Sequence, residues 1–255
     1  MTEVSVYLIG LIVLAIVLVL FYVYITSVEK AFLAMGLTHG EVSAIIVVTL
    51  FLGYVPIPLF PYHGWWVGIS IGGGVIPLIL CAYFLKSRRV DPAEVVIGTI
   101  IVTYITYFVT RAEEGVGIVA DLPIALAPAL GAGLFSLSTF WIDIRRAAPL
   151  AYVTGILGTL LGADVLHLGE ILSFAAPTEG TPMLVIGGGN VFDMVFITGV
   201  VSVFIAMFVL WLKRQQRKRG YGAVFYEFEH GPENLPYAKE TEPAPTLFKK
   251  PAKRI

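Results

Sequence analysis

Asp164, His167, Asn190 and Asp193 combine carboxyl, imidazole and amide groups inside stretches that otherwise carry almost no charge. An ionisable side chain in hydrocarbon costs roughly 2.5–3.5 kcal/mol or more, so such residues mark functional-site candidates. Asp164 and His167 are one helical turn apart, as are Asn190 and Asp193, which places each pair on one helix face. Asp121, two residues before Pro123, approaches from the start of another apolar segment. Gly187, Gly188 and Gly189 directly precede Asn190, where a helix can be interrupted and its backbone exposed to a ligand.

These groups support three chemistries. In the first they are structural, bonding neighbouring helices or exposed amides. In the second, Asp164, Asp193 and Asn190 ligate a cation, proton or small solute, with Asp121 and His167 nearby; oxygen ligands suit a hard ion, and the imidazole would admit a transition metal. In the third, two carboxyls share one site and activate a water for proteolysis. The third arrangement resembles presenilin-like and signal-peptide-peptidase-like enzymes: one Asp late in a helix, then glycines and a second Asp in Gly189-Asn-Val-Phe-Asp193. It departs from them in having Ala163 before Asp164, Asp193 four residues after Gly189, and Pro128-Ala-Leu130 ahead of both aspartates.

The elements that must position these groups are membrane helices. Of 255 residues, 57% are hydrophobic and 14% charged, against about a quarter charged in soluble domains. Mean hydropathy is +0.85. The net charge of −1 leaves no basic excess for nucleic acid. A single cysteine, Cys81, argues against disulfides, cysteine-ligated zinc and iron–sulfur clusters, and no cofactor motif is present. Seven apolar segments are expected to span, at about Val4–Ile25, Val42–Val55, Gly68–Leu85, Ala93–Thr110, Leu122–Trp141, Leu150–Leu168 and Leu184–Leu212. The first has no basic leader or small-residue cleavage site and reads as a retained helix, not a signal peptide.

Lysine and arginine in the connections set the orientation. Lys30, then Lys86, Arg88 and Arg89, then Arg145 and Arg146, and finally Lys213 to Arg219 all fall on one side of a seven-span chain. The other connections carry Arg111 against Glu113, Glu114, Asp121, Glu170 and Glu179. By the positive-inside rule the N-terminus is expected outside and the C-terminus in the cytoplasm; the plasma membrane is the expected location. Residues 1–219 form the expected transmembrane domain and 220–255 a cytoplasmic, proline-rich tail, on which a protein partner could dock.

Ser70-Ile-Gly-Gly-Gly-Val-Ile-Pro77 is echoed by Val185-Ile-Gly-Gly-Gly-Asn-Val-Phe192. A parallel internal repeat and a chance recurrence of packing glycines both account for this. Gly72, Gly73 and Gly74 thus join Gly187, Gly188 and Gly189 as candidate backbone breaks. These runs combine with Gly117-Ile118, with Gly155-x-x-Gly158-Thr-Leu-x-Gly162-Ala-Asp164 and with Phe192-Asp193…Thr198-Gly199. Over about Phe32–Met207 the pattern resembles an uncharacterised prokaryotic membrane family, the domain-of-unknown-function family sixteen-fourteen. That resemblance implies the architecture and the choice of residues, and no activity.

The expectation is therefore an all-α integral membrane protein of seven helices, some interrupted. Its leading function is ion or small-solute binding or transport through an outward-facing carboxylate site. The alternatives are a non-catalytic subunit of a larger membrane complex and an intramembrane aspartyl protease-like enzyme. No catalytic residue is assigned.

Overall fold

A computed structural model describes residues 3–62, 64–141, 143–175, 183–188 and 193–230. The protein is mostly helical. Four helices are long and apolar enough to cross a membrane: Tyr7–Ala34, Pro92–Val109, Ile144–Ile171 and Met194–Lys213. Shorter apolar helices at His39–Leu52, Ile71–Lys86 and Ile124–Thr139 bring the set to the expected seven. The chain is an all-α membrane protein.

In chain order the elements are α1 (Glu3–Ala34), α2 (His39–Leu52), β1 (Pro56–Tyr62), β2 (Trp65–Ser70), a π-helical turn (Ile71–Val75) and α3 (Ile76–Lys86). There follow α4 (Pro92–Val109), β3 (Arg111–Glu113), β4 (Gly117–Val119), a 3-10 turn (Ile124–Leu126) and α5 (Ala127–Thr139). Then come α6 (Ile144–Thr159), a second π-helical turn (Leu160–Val165), α7 (Leu168–Ile171), β5 (Met183–Ile186) and α8 (Met194–His230). Local sequence explains several starts. Asp91 caps α4 by accepting the Ala93 amide at 2.8 Å, with Pro92 in the first turn, where no amide donor is needed. Thr38 and Glu41 form a capping box on α2.

The central helix is α6, buried along almost its whole length from Ala147 to Thr159. Small residues let its neighbours come close, the usual basis of helix association where lipid removes the hydrophobic drive. Gly158 meets Val102 and Gly162 meets Thr103 and Thr106 of α4, while Gly155 faces Thr198, Gly199 and Ser202 of α8. Around Tyr152 the aromatic core joins Phe32 (5.9 Å between ring centres) and Phe84 (6.1 Å), with Phe196 packed on Phe32 at 6.3 Å. By contrast α1 is exposed from Tyr7 to Leu20 and packs on the core through its last turns, where Val28, Ala31 and Phe32 are buried. That is the pattern of a lipid-facing helix.

Two segments differ from the helices expected of them. The apolar run from Gly68 begins as strand β2 and becomes helical only at Ile71, and the run from Leu184 is strand β5, with α8 starting at Met194. Hydropathy does not separate a buried strand from a helix of the same residues, and here pairing decides. β1 and β2 are antiparallel, and β2 and β5 are parallel, in the order β1-β2-β5. Pro56, Pro58 and Pro61 lie on the outer strand β1, where a missing amide donor costs no ladder bond. The connection between α2 and α3 is thus a β-hairpin, tied to the turn after α7 by Trp65 Nε1 donating to Phe174 O at 3.3 Å. The last helix also continues past Arg219 to His230, further than the expected tail boundary.

Candidate functional site

The two glycine runs meet. β2 and β5 pair with Ile69 opposite Ile186 and Gly68 opposite Val185, which brings Ser70 alongside Gly187. The sequence echo aligns Ile71 with Ile186, so the observed register is two residues out of step with it, a shift that keeps every side chain on its own face. Ser70 Oγ donates to Gly187 O and accepts the Gly73 amide at 3.1 Å. A Cβ on Gly187 would lie 2.5 Å from the Gly73 carbonyl carbon and 2.7 Å from the Gly74 nitrogen. Gly187 also has φ +69°, in the left-handed region. Glycine is required here by both close approach and backbone conformation. Gly72, Gly73 and Gly74 are buried in the first π-helical turn. Gly188 lies in the turn after β5, while Gly189 and Asn190 fall outside the described residues.

This junction frames a cavity of about 360 Å³. Asp164 and Asp193 both line it, together with Val116, Gly117 and Ile118 around β4 and all four residues of β5. Asp164 sits in the π-helical turn that ends α6, where Leu166 N bonds back to Leu161 O at 2.9 Å. Its Oδ2 is buried and has no hydrogen-bond partner among the described residues. Asp193 was expected inside the last helix. It stands immediately before α8 and accepts the Val195 amide at 2.8 Å, as a helix-capping carboxylate does. The strand that replaces the expected first turns of this helix accounts for the difference.

Side chains alternate between the two faces of a strand, so four consecutive lining residues indicate that β5 presents its backbone to the cavity. Its outer edge has no strand partner among the described residues.

His167 does not share the cavity with Asp164. The i→i+5 turn changes the rotation per residue, so positions three apart no longer fall on one face. The His167 ring is buried and stacked on Tyr107, 4.8 Å away and 17° from parallel, with Nδ1 3.1 Å from Glu170 Oε2. Tyr107 of α4 is its platform. Asp121 is likewise elsewhere. It pairs through both oxygens with Arg111, at 2.6 and 3.3 Å, while Arg111 also bonds Glu113 at 2.8 Å. The Arg111 hydrogen bonds and charge hold the exposed Asp121 carboxyl below the ordinary carboxylate range. The sequence missed the Val116–Ile118 wall and β5 as site elements; the signal was the Gly117-Ile118 motif and the apolar run at Met183–Ile186.

Among the described residues no group of three or more His, Cys, Asp or Glu side chains is placed to hold a metal ion. The site is instead a pair of carboxyls in a cleft walled by irregular backbone, set in a helical membrane protein.

The chain belongs to a family of proteins of unknown function, DUF1614, whose model matches residues 38–205. The matched stretch contains both aspartates and both glycine runs and nearly coincides with the Phe32–Met207 region marked by the motifs. No curated protein and no solved structure matches this chain.

Proposed function

We propose that the chain is an intramembrane aspartyl hydrolase acting on an extended polypeptide. The observation that carries this is the shared cavity, which Asp164, Asp193 and the backbone of β5 line together. An edge strand offers amide and carbonyl groups at a fixed spacing, which an extended chain can complete as an added strand. A peptide so held would pass its carbonyl by the two carboxyls.

Hydrolysis by such a pair needs one carboxyl to take a proton from water and the other to give one to the scissile carbonyl oxygen. The hydroxide formed adds to the carbonyl carbon. Collapse of the tetrahedral intermediate then breaks the C–N bond as the amine takes up a proton. The two carboxyls have the unequal surroundings that such a division of roles uses. Asp193 accepts an amide at the start of α8, while Asp164 Oδ2 meets no donor among the described residues. The proposal includes a plasma-membrane location, with N-terminus outside, C-terminus inside and the cavity opening outward, motivated by the basic connections.

A peptide with a hydroxyl-bearing tetrahedral isostere tests it, because a transition-state mimic binds more tightly than substrate only where the catalytic groups are in place. Wild-type protein in nanodiscs should bind the isostere peptide, and Asp164→Asn or Asp193→Asn should lose that binding while Asp121→Asn keeps it. Equal binding by all four would overturn the reading.

The same carboxyls also support cation or small-solute binding, favoured by the unpartnered Asp164 oxygen and by the two interrupted helices beside it. In that case sodium, potassium or calcium, titrated singly, would raise the unfolding midpoint of the wild type and not of Asp164→Asn.

A further inference from the structure

The other end of α6 carries a second cleft. Eighteen residues separate Asp164 from Arg146, roughly 27 Å along the helix at 1.5 Å per residue. There a cleft of about 430 Å³ opens between the end of α3 and the starts of α4 and α6. Lys86, Arg88 and Arg146 line it, with Asp91 and Pro92 at the start of α4.

Its charge is not neutralised by any ion pair among the described residues: none of Lys86, Arg88 and Arg146 forms one. The one carboxylate on the wall, Asp91, already accepts the Ala93 amide as the α4 cap. Arg89 shows what a structural role in this loop looks like: its Nη1 donates to Met35 O at 2.7 Å, joining the third connection to the first. Among the described residues the three cleft cations have no such bond. Arg146 is instead held over the Phe140 ring, its guanidinium carbon 4.3 Å from the ring centre. Three cations and one carboxylate leave a net charge of +2 (3 − 1) in a cleft at the positive end of an 18-residue helix.

The surface beyond the cleft is apolar. Val96, Ile100 and Tyr104 form an exposed stripe at i, i+4 spacing along α4, with 57%, 64% and 67% of their surface free. Phosphate held at the cleft would therefore have hydrocarbon-compatible protein surface directly below it.

We propose that this cleft binds the phosphate of an anionic phospholipid, whose acyl chains lie along the α4 stripe. Basic pockets between membrane helices suit lipid headgroups on these grounds, a compact charge at the interface with an apolar wall beneath. The site is independent of the carboxylate cavity and of the function proposed for it.

The test measures thermal unfolding of the full chain in nanodiscs of phosphatidylcholine alone and with added phosphatidylglycerol. Phosphatidylglycerol should raise the wild-type midpoint. Lys86→Gln, Arg88→Gln and Arg146→Gln should each weaken the lipid's apparent affinity roughly fivefold, and the triple variant should lose the stabilisation. Arg145→Gln, outside the cleft lining, should keep it. All variants are compared with their own midpoints in phosphatidylcholine, which separates lipid binding from loss of fold. An equal phosphatidylglycerol effect in wild type and triple variant would refute the site. Inorganic phosphate alone, in phosphatidylcholine nanodiscs, should give no stabilisation; a matching rise would make the ligand a soluble anion and overturn the lipid assignment.

Discussion

Replacing Gly187 by alanine perturbs the point where the two glycine runs touch, and its cost can be worked from geometry. The residue has φ +69°, where an L side chain costs roughly 1–2 kcal/mol. The added methyl would sit 2.5 Å from the Gly73 carbonyl carbon and 2.8 Å from its oxygen. Those atoms are backbone and cannot rotate away, so relief requires β5 to move off β2, an overpacking strain of about 1–3 kcal/mol. Together the loss is roughly 2–5 kcal/mol. Gly10→Ala is the control: nothing lies within 4 Å of its added carbon, and in a helix interior alanine should stabilise by up to about 1 kcal/mol. Unfolding by SDS titration from mild-detergent micelles, followed by circular dichroism, gives both values. Gly73→Ala meets the same interface from the other side, so the double variant should cost less than the sum of the two singles. A Gly187→Ala protein within about 0.5 kcal/mol of Gly10→Ala would show that the runs do not touch as described.

Ser70→Ala removes the donor to Gly187 O and the acceptor of the buried Gly73 amide, and should cost about 1–3 kcal/mol in the same titration. His167→Ala, which empties a buried ring position against Tyr107, should cost about 2–4 kcal/mol. His167→Phe should keep the stack, most of the stability and the isostere-peptide binding; loss of binding in a stable Phe variant would place the imidazole at the site after all. Asp121→Asn tests the exposed Arg111 pair by pH. The folded carboxyl is held below its unfolded value of about 3.9, so its stabilisation is present above about pH 4 and fades as pH falls through the folded value. Unfolding midpoints of wild type and Asp121→Asn should therefore converge in acid, and also in high salt.

Much of the architecture is legible because membrane helices announce themselves by length and apolarity. The α4 and α6 segments were placed by the expected runs Ala93–Thr110 and Leu150–Leu168, with α6 beginning six residues earlier, at Ile144. Alternation of basic and acidic connections also has a structural counterpart. Arg89 of the third connection bonds Met35 O of the first, and Arg146 shares a cleft with Lys86 and Arg88. At the other end, Trp65 reaches Phe174 and the β4 wall meets β5. What was not legible is strand pairing. Trp65–Ser70 and Met183–Ile186 are apolar enough to pass as helix, and only their mutual contact, across more than a hundred residues, selects the extended form. The displacement of His167 was hidden for a related reason: helical spacing rules assume an α-turn, and the chain makes a π-turn at Leu160–Val165.

The glycine echo and the aspartates are then parts of one construction. Parallel pairing of β2 with β5 requires the chain ends beyond the strands to run side by side, and only residues without Cβ permit the resulting approach at Gly73 and Gly187. The pairing turns Leu184–Ile186 from helix into strand, which delays α8 until Met194 and leaves Asp193 as its capping residue. Had the helix begun at Leu184, Asp193 would lie mid-helix, with the Val195 amide bonded within the helix and unavailable to its carboxyl. The π-turn does the corresponding work at the end of α6, turning Asp164 onto the wall that β5 lines while His167 packs against Tyr107. The carboxylate pair is thus positioned by two departures from α-helical backbone, and disturbing the glycine contact should affect the site before it affects the bundle. A Gly73→Ala protein that remains helical should already have lost isostere-peptide binding; full binding in that variant would mean the carboxyls meet without the strand pair.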